Sequence, residues 1–116
     1  MAFAYDRLVD VTTLPKSVGI LFDQPASQVT YIRFILLHNS NTTAEVVKLY
    51  DVPDNGGSVG SAGATNEFFG ATLQPLETVM IEFPVPGKII KDEHETIQGV
   101  TTTASKVTCT MYGGKE

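Results

Sequence analysis

Residues 28–39 read Gln28-Val29-Thr30-Tyr31-Ile32-Arg33-Phe34-Ile35-Leu36-Leu37-His38-Asn39. β-Branched and aromatic side chains crowd this stretch, and they fit a pleated, packed surface better than a helix. Strict alternation sets Val29, Tyr31, Ile35 and Leu37 on one face and Ile32, Phe34 and Leu36 on the other. A strand apolar on both faces belongs at the centre of a sheet or at an oligomer contact. Asn39-Ser40-Asn41-Thr42 follows, a run whose side chains bond their own backbone and favour a turn. Residues 43–52 return as the next strand, so the two are expected to form a hairpin.

The same reading extends in both directions. Upstream, 17–23 is a strand closed by Gln24-Pro25-Ala26-Ser27, where Pro25 has no N–H for a ladder. Downstream, 53–64 is rich in Gly, Ser, Asn and Asp and is expected to be an exposed, flexible loop. Strands are then predicted over 66–72, 76–83, 88–91, 95–102 and 105–112, with a corner at Pro84-Val85-Pro86-Gly87 and a charged turn at Asp92-Glu93-His94. Within 76–83, alternation sends Val79, Ile81 and Phe83 inward and Thr78, Met80 and Glu82 outward. The last two strands are expected to pair as a hairpin around Thr103-Ala104, with Val107, Cys109 and Met111 on one face. No window holds a helical apolar period without a Gly, a Pro or a β-branched run.

About eight short strands at regular spacing predict an all-β, antiparallel, jelly-roll-like β-sandwich. Residues 16–116 form its single domain. Residues 1–15 fit the scheme less well and read as an extended N-terminal arm. Phe3, Tyr5, Leu8, Val9, Val11 and Leu14 give that arm more apolar surface than a solvated tail needs, so they are the candidate partner-binding residues, docking on a neighbouring subunit. The alternative is an irregular first strand folding back on its own domain.

Composition narrows the function. A chain of 116 residues supports one core. Net charge is −5 and no Lys/Arg cluster interrupts it, which argues against nucleic-acid binding. The longest apolar run, Phe34 to Leu37, is far below the roughly 20 residues of a membrane helix, and the N-terminus shows no signal-peptide pattern. Cys109 is the only cysteine, so no intramolecular disulfide or CxxC zinc site exists.

Chemistry-bearing residues each have a structural explanation. Cys109 sits on the core face of its strand, where a thiol is inert. Asp92, Glu93, His94 and Glu95 are close in sequence, but neighbours in a turn diverge whereas metal ligands must converge. Asp51, Asp54 and Asn55 lack the spacing and closing Glu of a calcium loop. Gly56-Gly57-Ser58-Val59-Gly60 is not followed by a helix or a Lys-Ser/Thr pair. No catalytic, cofactor-binding or metal residue is assigned, and a non-enzymatic structural or binding module is expected.

Three segments carry a resemblance. Leu36 to Val52, with its Asn-rich turn before Val47-Lys48-Leu49-Tyr50, resembles a stretch of small tailed-bacteriophage virion proteins. Leu73-Gln74-Pro75-Leu76-Glu77-Thr78 resembles their L-x-P-x-E-T strand start, and Glu95 to Gly113 their closing hairpin. The likeness runs from about Thr30 to Gly113. One departure falls at Phe83 to Lys88, where such proteins often have L-x-x-G-D and Lys88 takes the place of the acid. The resemblance implies a virion structural protein assembled in the bacterial host cytoplasm. Its implied role is a capsid decoration or cement protein that contacts the major capsid protein or other virion proteins. A homo-oligomer is implied, a trimer suiting a three-fold site. Neck, tail or fibre components, or a carbohydrate-binding adhesion module of the virion, are the alternatives.

Overall fold

The computed structural model describes residues 4–116, and side chains from Asp6 onward. Nine strands appear among them: β1 (Ala4–Thr13), β2 (Gly19–Asp23), β3 (Thr30–Asn39), β4 (Glu45–Val52), β5 (Glu67–Leu73), β6 (Thr78–Glu82), β7 (Lys88–Ile90), β8 (Thr96–Thr101) and β9 (Val107–Lys115). A short 3₁₀ turn, Ala64–Asn66, precedes β5.

All strand pairs are antiparallel. One sheet runs β1-β9-β3-β6, with β7 also on β3, and the other runs β2-β8-β4-β5. β6 and β7 meet β3 on the same edge, at Phe34–His38 and at Thr30–Ile32 respectively, so they are two halves of one strand interrupted at 83–87. With that pair counted as one, eight strands run in jelly-roll order, changing sheet at every step except from β4 to β5. The predicted fold class holds.

The two sheets close on one core. Ile32, Ile35, Leu37, Ile90, Val107, Cys109 and Met111 come from the first sheet, Val47, Leu49, Leu73 and Ile97 from the second, and all are fully buried. Gly99 of β8 leaves the space that Leu14, Leu21 and Leu49 fill, since a Cβ there would lie 2.9 Å from Leu21 Cδ1 and 3.0 Å from Leu49 Cδ2. The Cα radius of gyration, 13.9 Å, is close to the roughly 13 Å of one domain this long.

Several expectations are corrected. The arm reading fails for residues 4–13, which form β1 and pair along β9 from Ala4↔Lys115 to Thr13↔Thr108. The alternative, a first strand folded on its own domain, is the observed one, and its Leu8 and Val9 pack against the core beside an otherwise open β9 edge. Neither expected hairpin forms. β3 pairs with β9, β6 and β7 whereas β4 pairs with β5 and β8, and β8 and β9 likewise lie in opposite sheets. The 40–44 and 102–106 connections are corners between sheets, and turn chemistry alone does not distinguish a corner from a hairpin.

Strict alternation also fails in β3. A bulge between Ile32 and Phe34 adds Arg33 to this strand opposite β9. Thr30, Ile32, Ile35, Leu37 and Asn39 are consequently the buried set, while Tyr31, Phe34, Leu36 and His38 are half-buried on the outer side. The 53–66 loop keeps an exposed tip at Gly56 to Ser58, but its stem is tied down: Gln98 Nε2 donates to Gly60 O at 3.2 Å, over buried Val52 and Thr96. Phe83, expected inside, is half-buried at the core margin, its ring 6.1 Å from that of Phe68.

Candidate functional site

Two bulges shape the outer face of the β1-β9-β3-β6 sheet. In β1, Leu8 is the extra residue between the pairs Arg7↔Tyr112 and Val9↔Met111; in β3, Arg33 is the extra residue between Ile32↔Gly113 and Phe34↔Tyr112. The two bulges thus lie on either side of Tyr112 of β9, opposite its steps to Met111 and to Gly113, where they bend the sheet and re-aim side chains. Gly113 permits this approach, because a Cβ would stand 1.9 Å from Tyr31 O.

The result is an open basin of about 730 Å³ framed by Asp6, Arg7 and Asp10 of β1, Arg33 and Phe34 of β3, and Tyr112-Gly113. Arg7 lies over the Tyr112 ring at 5.7 Å and faces Asp10 at 3.6 Å. Arg33 lies over Phe34 at 5.3 Å, faces Glu82 at 3.9 Å and donates to Phe83 O. Aromatic faces form the floor, guanidinium groups supply donors and carboxylates supply acceptors. This is recognition chemistry for a surface that carries both apolar and polar groups.

Cross-strand register extends the basin into an apolar band. Leu36 stands opposite Thr110 on one side and Met80 on the other, and Tyr31 stands opposite Ile89. Met80 is 58% exposed and Ile89 50%. Sequence reading had Met80 outward and β3 apolar on both sides, but it lacked the bulges that gather Arg7, Arg33, Phe34 and Tyr112.

Of the six candidate partner-binding residues, the four whose side chains are described do not form one surface. Leu14 is fully buried, Leu8 and Val9 pack against the core, and Val11 is 61% exposed. Phe3 and the side chain of Tyr5 lie outside the described residues.

Elsewhere, Cys109 is buried, and burial pushes its thiol up to about 12. His38 Nδ1 meets Thr78 Oγ1 at 2.8 Å. The 92–95 turn diverges: His94 faces Asp23 at 3.6 Å and Glu93 at 3.9 Å, while Glu95 turns to Asp51. Among the described residues, no three His, Cys, Asp or Glu side chains group as metal ligands. In the glycine-rich loop, Asp54 accepts the Gly57 N–H, a turn contact. No helix among the described residues is long and apolar enough to cross a membrane.

Fold and site together define a jelly-roll sandwich whose β1-β9-β3-β6 sheet carries a mixed aromatic and charged basin on its outer face. The chain matches no family model, no curated protein and no solved structure.

Proposed function

We propose that this chain is a non-enzymatic bacteriophage virion structural protein, a capsid decoration or cement protein that binds the head shell through protein–protein contacts. The outer face of the β1-β9-β3-β6 sheet is its contact surface. An antiparallel sheet in a sandwich ordinarily turns polar residues to water, whereas this face presents Phe34, Leu36, Met80, Ile89 and Tyr112 with charged groups at one end. That is the anatomy of an interface, an apolar centre with a polar rim. The resemblance of residues 30–113 to small tailed-phage virion proteins supports the same reading.

Addition of the purified chain to head shells that lack it, followed by sedimentation, tests the proposal. Wild-type chain is expected to co-sediment at many copies per shell. The double variant Leu36→Lys/Met80→Glu is expected to keep its melting curve and lose at least tenfold in affinity, because each side chain is surface-accessible and each charge would be buried on binding. Full-affinity binding by that variant would refute this choice of face. Gold-labelled antibody on intact virions separates locations: a few copies at one vertex would move the assignment to the neck or tail.

The basin favours a second reading, a carbohydrate-binding adhesion module. Two guanidinium groups over aromatic rings, beside carboxylate acceptors, suit the hydroxyls of a sugar, which both donate and accept. A glycan array with no binder eliminates it.

A further inference from the structure

Lys88 and Asp51 are charged residues on the inner sides of opposite sheets. Asp51 of β4 stands opposite Ile97 in the register that also carries the core residues Val47 and Leu49. Lys88 opens β7 opposite the core residue Ile32. Their ends meet across the margin of the sandwich, Lys88 Nζ lying 2.9 Å from Asp51 Oδ2 with each side chain only 22% exposed. The Phe68 ring is 4.9 Å from the same nitrogen, and Phe83 packs on Phe68.

Glu95 is the third group. Burial, then a hydrogen bond to Asp51, then the charge of Asp51 raise its carboxyl to about 7. Asp51 Oδ1 is buried and, with every carboxyl ionised, has no hydrogen-bond donor. A proton on Glu95 gives the Asp51 carboxylate a donor.

An inter-sheet ion pair needs only the first two residues. A proton-holding acid against the same carboxyl, with the amine held over an aromatic ring, is the equipment of a condensation. The geometry points to Lys88 and Asp51 as the two ends of an intramolecular isopeptide bond, joining Nζ to Cγ, with Glu95 as its proton carrier.

The chemistry balances without another reactant. The Lys88 ammonium passes a proton to the Asp51 carboxylate, leaving a neutral amine and a neutral acid. The Nζ lone pair adds to Cγ, and the carbonyl π pair moves onto oxygen. Glu95 gives its proton to the hydroxyl that departs and takes one from the nitrogen. The C–O bond breaks, the carbonyl re-forms and water leaves. One ammonium and one carboxylate have become one amide and one water, and Glu95 is as it began. Holding amine and acid together in the fold makes the reaction effectively unimolecular. The bond closes residues 51–88 into a ring that clamps one sheet to the other, independently of what the outer face binds.

Mass spectrometry of the intact, denatured full chain tests this. Wild type is expected to be one water lighter than its sequence, and digestion is expected to yield a branched peptide joining Asp51 to Lys88. Lys88→Arg, which keeps the cation, and Glu95→Gln, which keeps the shape, are both expected to show the full sequence mass. A wild-type chain at sequence mass overturns the bond, and this result does not depend on any variant folding. A water loss that persists in Lys88→Arg overturns it as well. A branched peptide at wild-type yield in Glu95→Gln overturns the role of Glu95.

Discussion

Glu45 is a buried carboxylate whose charge is met on both oxygens. Oε1 accepts from Thr103 N at 2.7 Å and from Thr101 Oγ1 at 3.1 Å, and Oε2 accepts from Asn41 Nδ2 at 3.0 Å. Burial works to raise its pKa, but the bonds from Asn41, Thr103 and Thr101 outweigh it and hold the carboxyl below its ordinary value. A carboxyl depressed in the fold contributes stability above its unfolded pKa, near 4.3, and that contribution is lost as pH falls through the folded value. Glu45→Ala is expected to lower stability at neutral pH by about 2–4 kcal/mol in urea melts, because it strands buried partners of a charged group. Its deficit against wild type is expected to shrink as pH drops below the folded pKa of Glu45; a deficit constant with pH would contradict the assignment. Gly113 makes a steric prediction. Gly113→Ala would press a Cβ on Tyr31 O and is expected to cost about 3 kcal/mol, at the upper end of ordinary overpacking. A neutral melt would mean that the two bulges can spread apart.

At the scale of the element, β1 shows where sequence legibility ended. Its apolar residues were visible, but bulges between Arg7 and Val9 and between Val9 and Thr12 break the period that would have marked it as a strand. Deleting residues 1–15 is expected to abolish cooperative folding, since β9 loses its β1 neighbour and becomes a bare edge, and Leu14 leaves the core. A truncated chain with a wild-type melting curve would restore the arm reading. Leu14→Ala alone is expected to cost about 2–5 kcal/mol, the range for a fully buried leucine. β3 was legible in extent and in its double-sided apolarity. Its facing was not, because one added residue at Arg33 reverses parity from that point. The basin depends on that reversal, so the residues around it could be listed from sequence but not brought together. Lys88, Asp51 and Glu95 were equally out of reach, being far apart in the chain and joined only where two sheets meet.

For the whole molecule, the strand order explains why local turn reading gave the wrong partners. In a jelly roll most consecutive strands lie in opposite sheets, and here only β4 and β5 are consecutive partners among the complete strands. Buried polar residues tie the corners in place of hairpin ladders. Asn39, fully buried, sets Nδ2 within 3.0–3.2 Å of the carbonyls of Thr43, Leu73 and Gln74, joining the β3–β4 and β5–β6 corners. If the proposed role on a three-fold shell site is right, the solution mass is expected to be that of a trimer; a monomer at all concentrations would favour attachment one copy at a time. What the amino-acid sequence determined by itself was local: eight strand segments, their punctuation by Gly, Pro and Asn, and the inward set of β6 and β9. These follow from side-chain period and turn chemistry, which act over a few residues. Tertiary structure alone decided the pairing of strands, the facing of β3, the place of β1 and the meeting of Lys88 with Asp51. Each depends on burying one common apolar face between two sheets, a condition that no single segment carries.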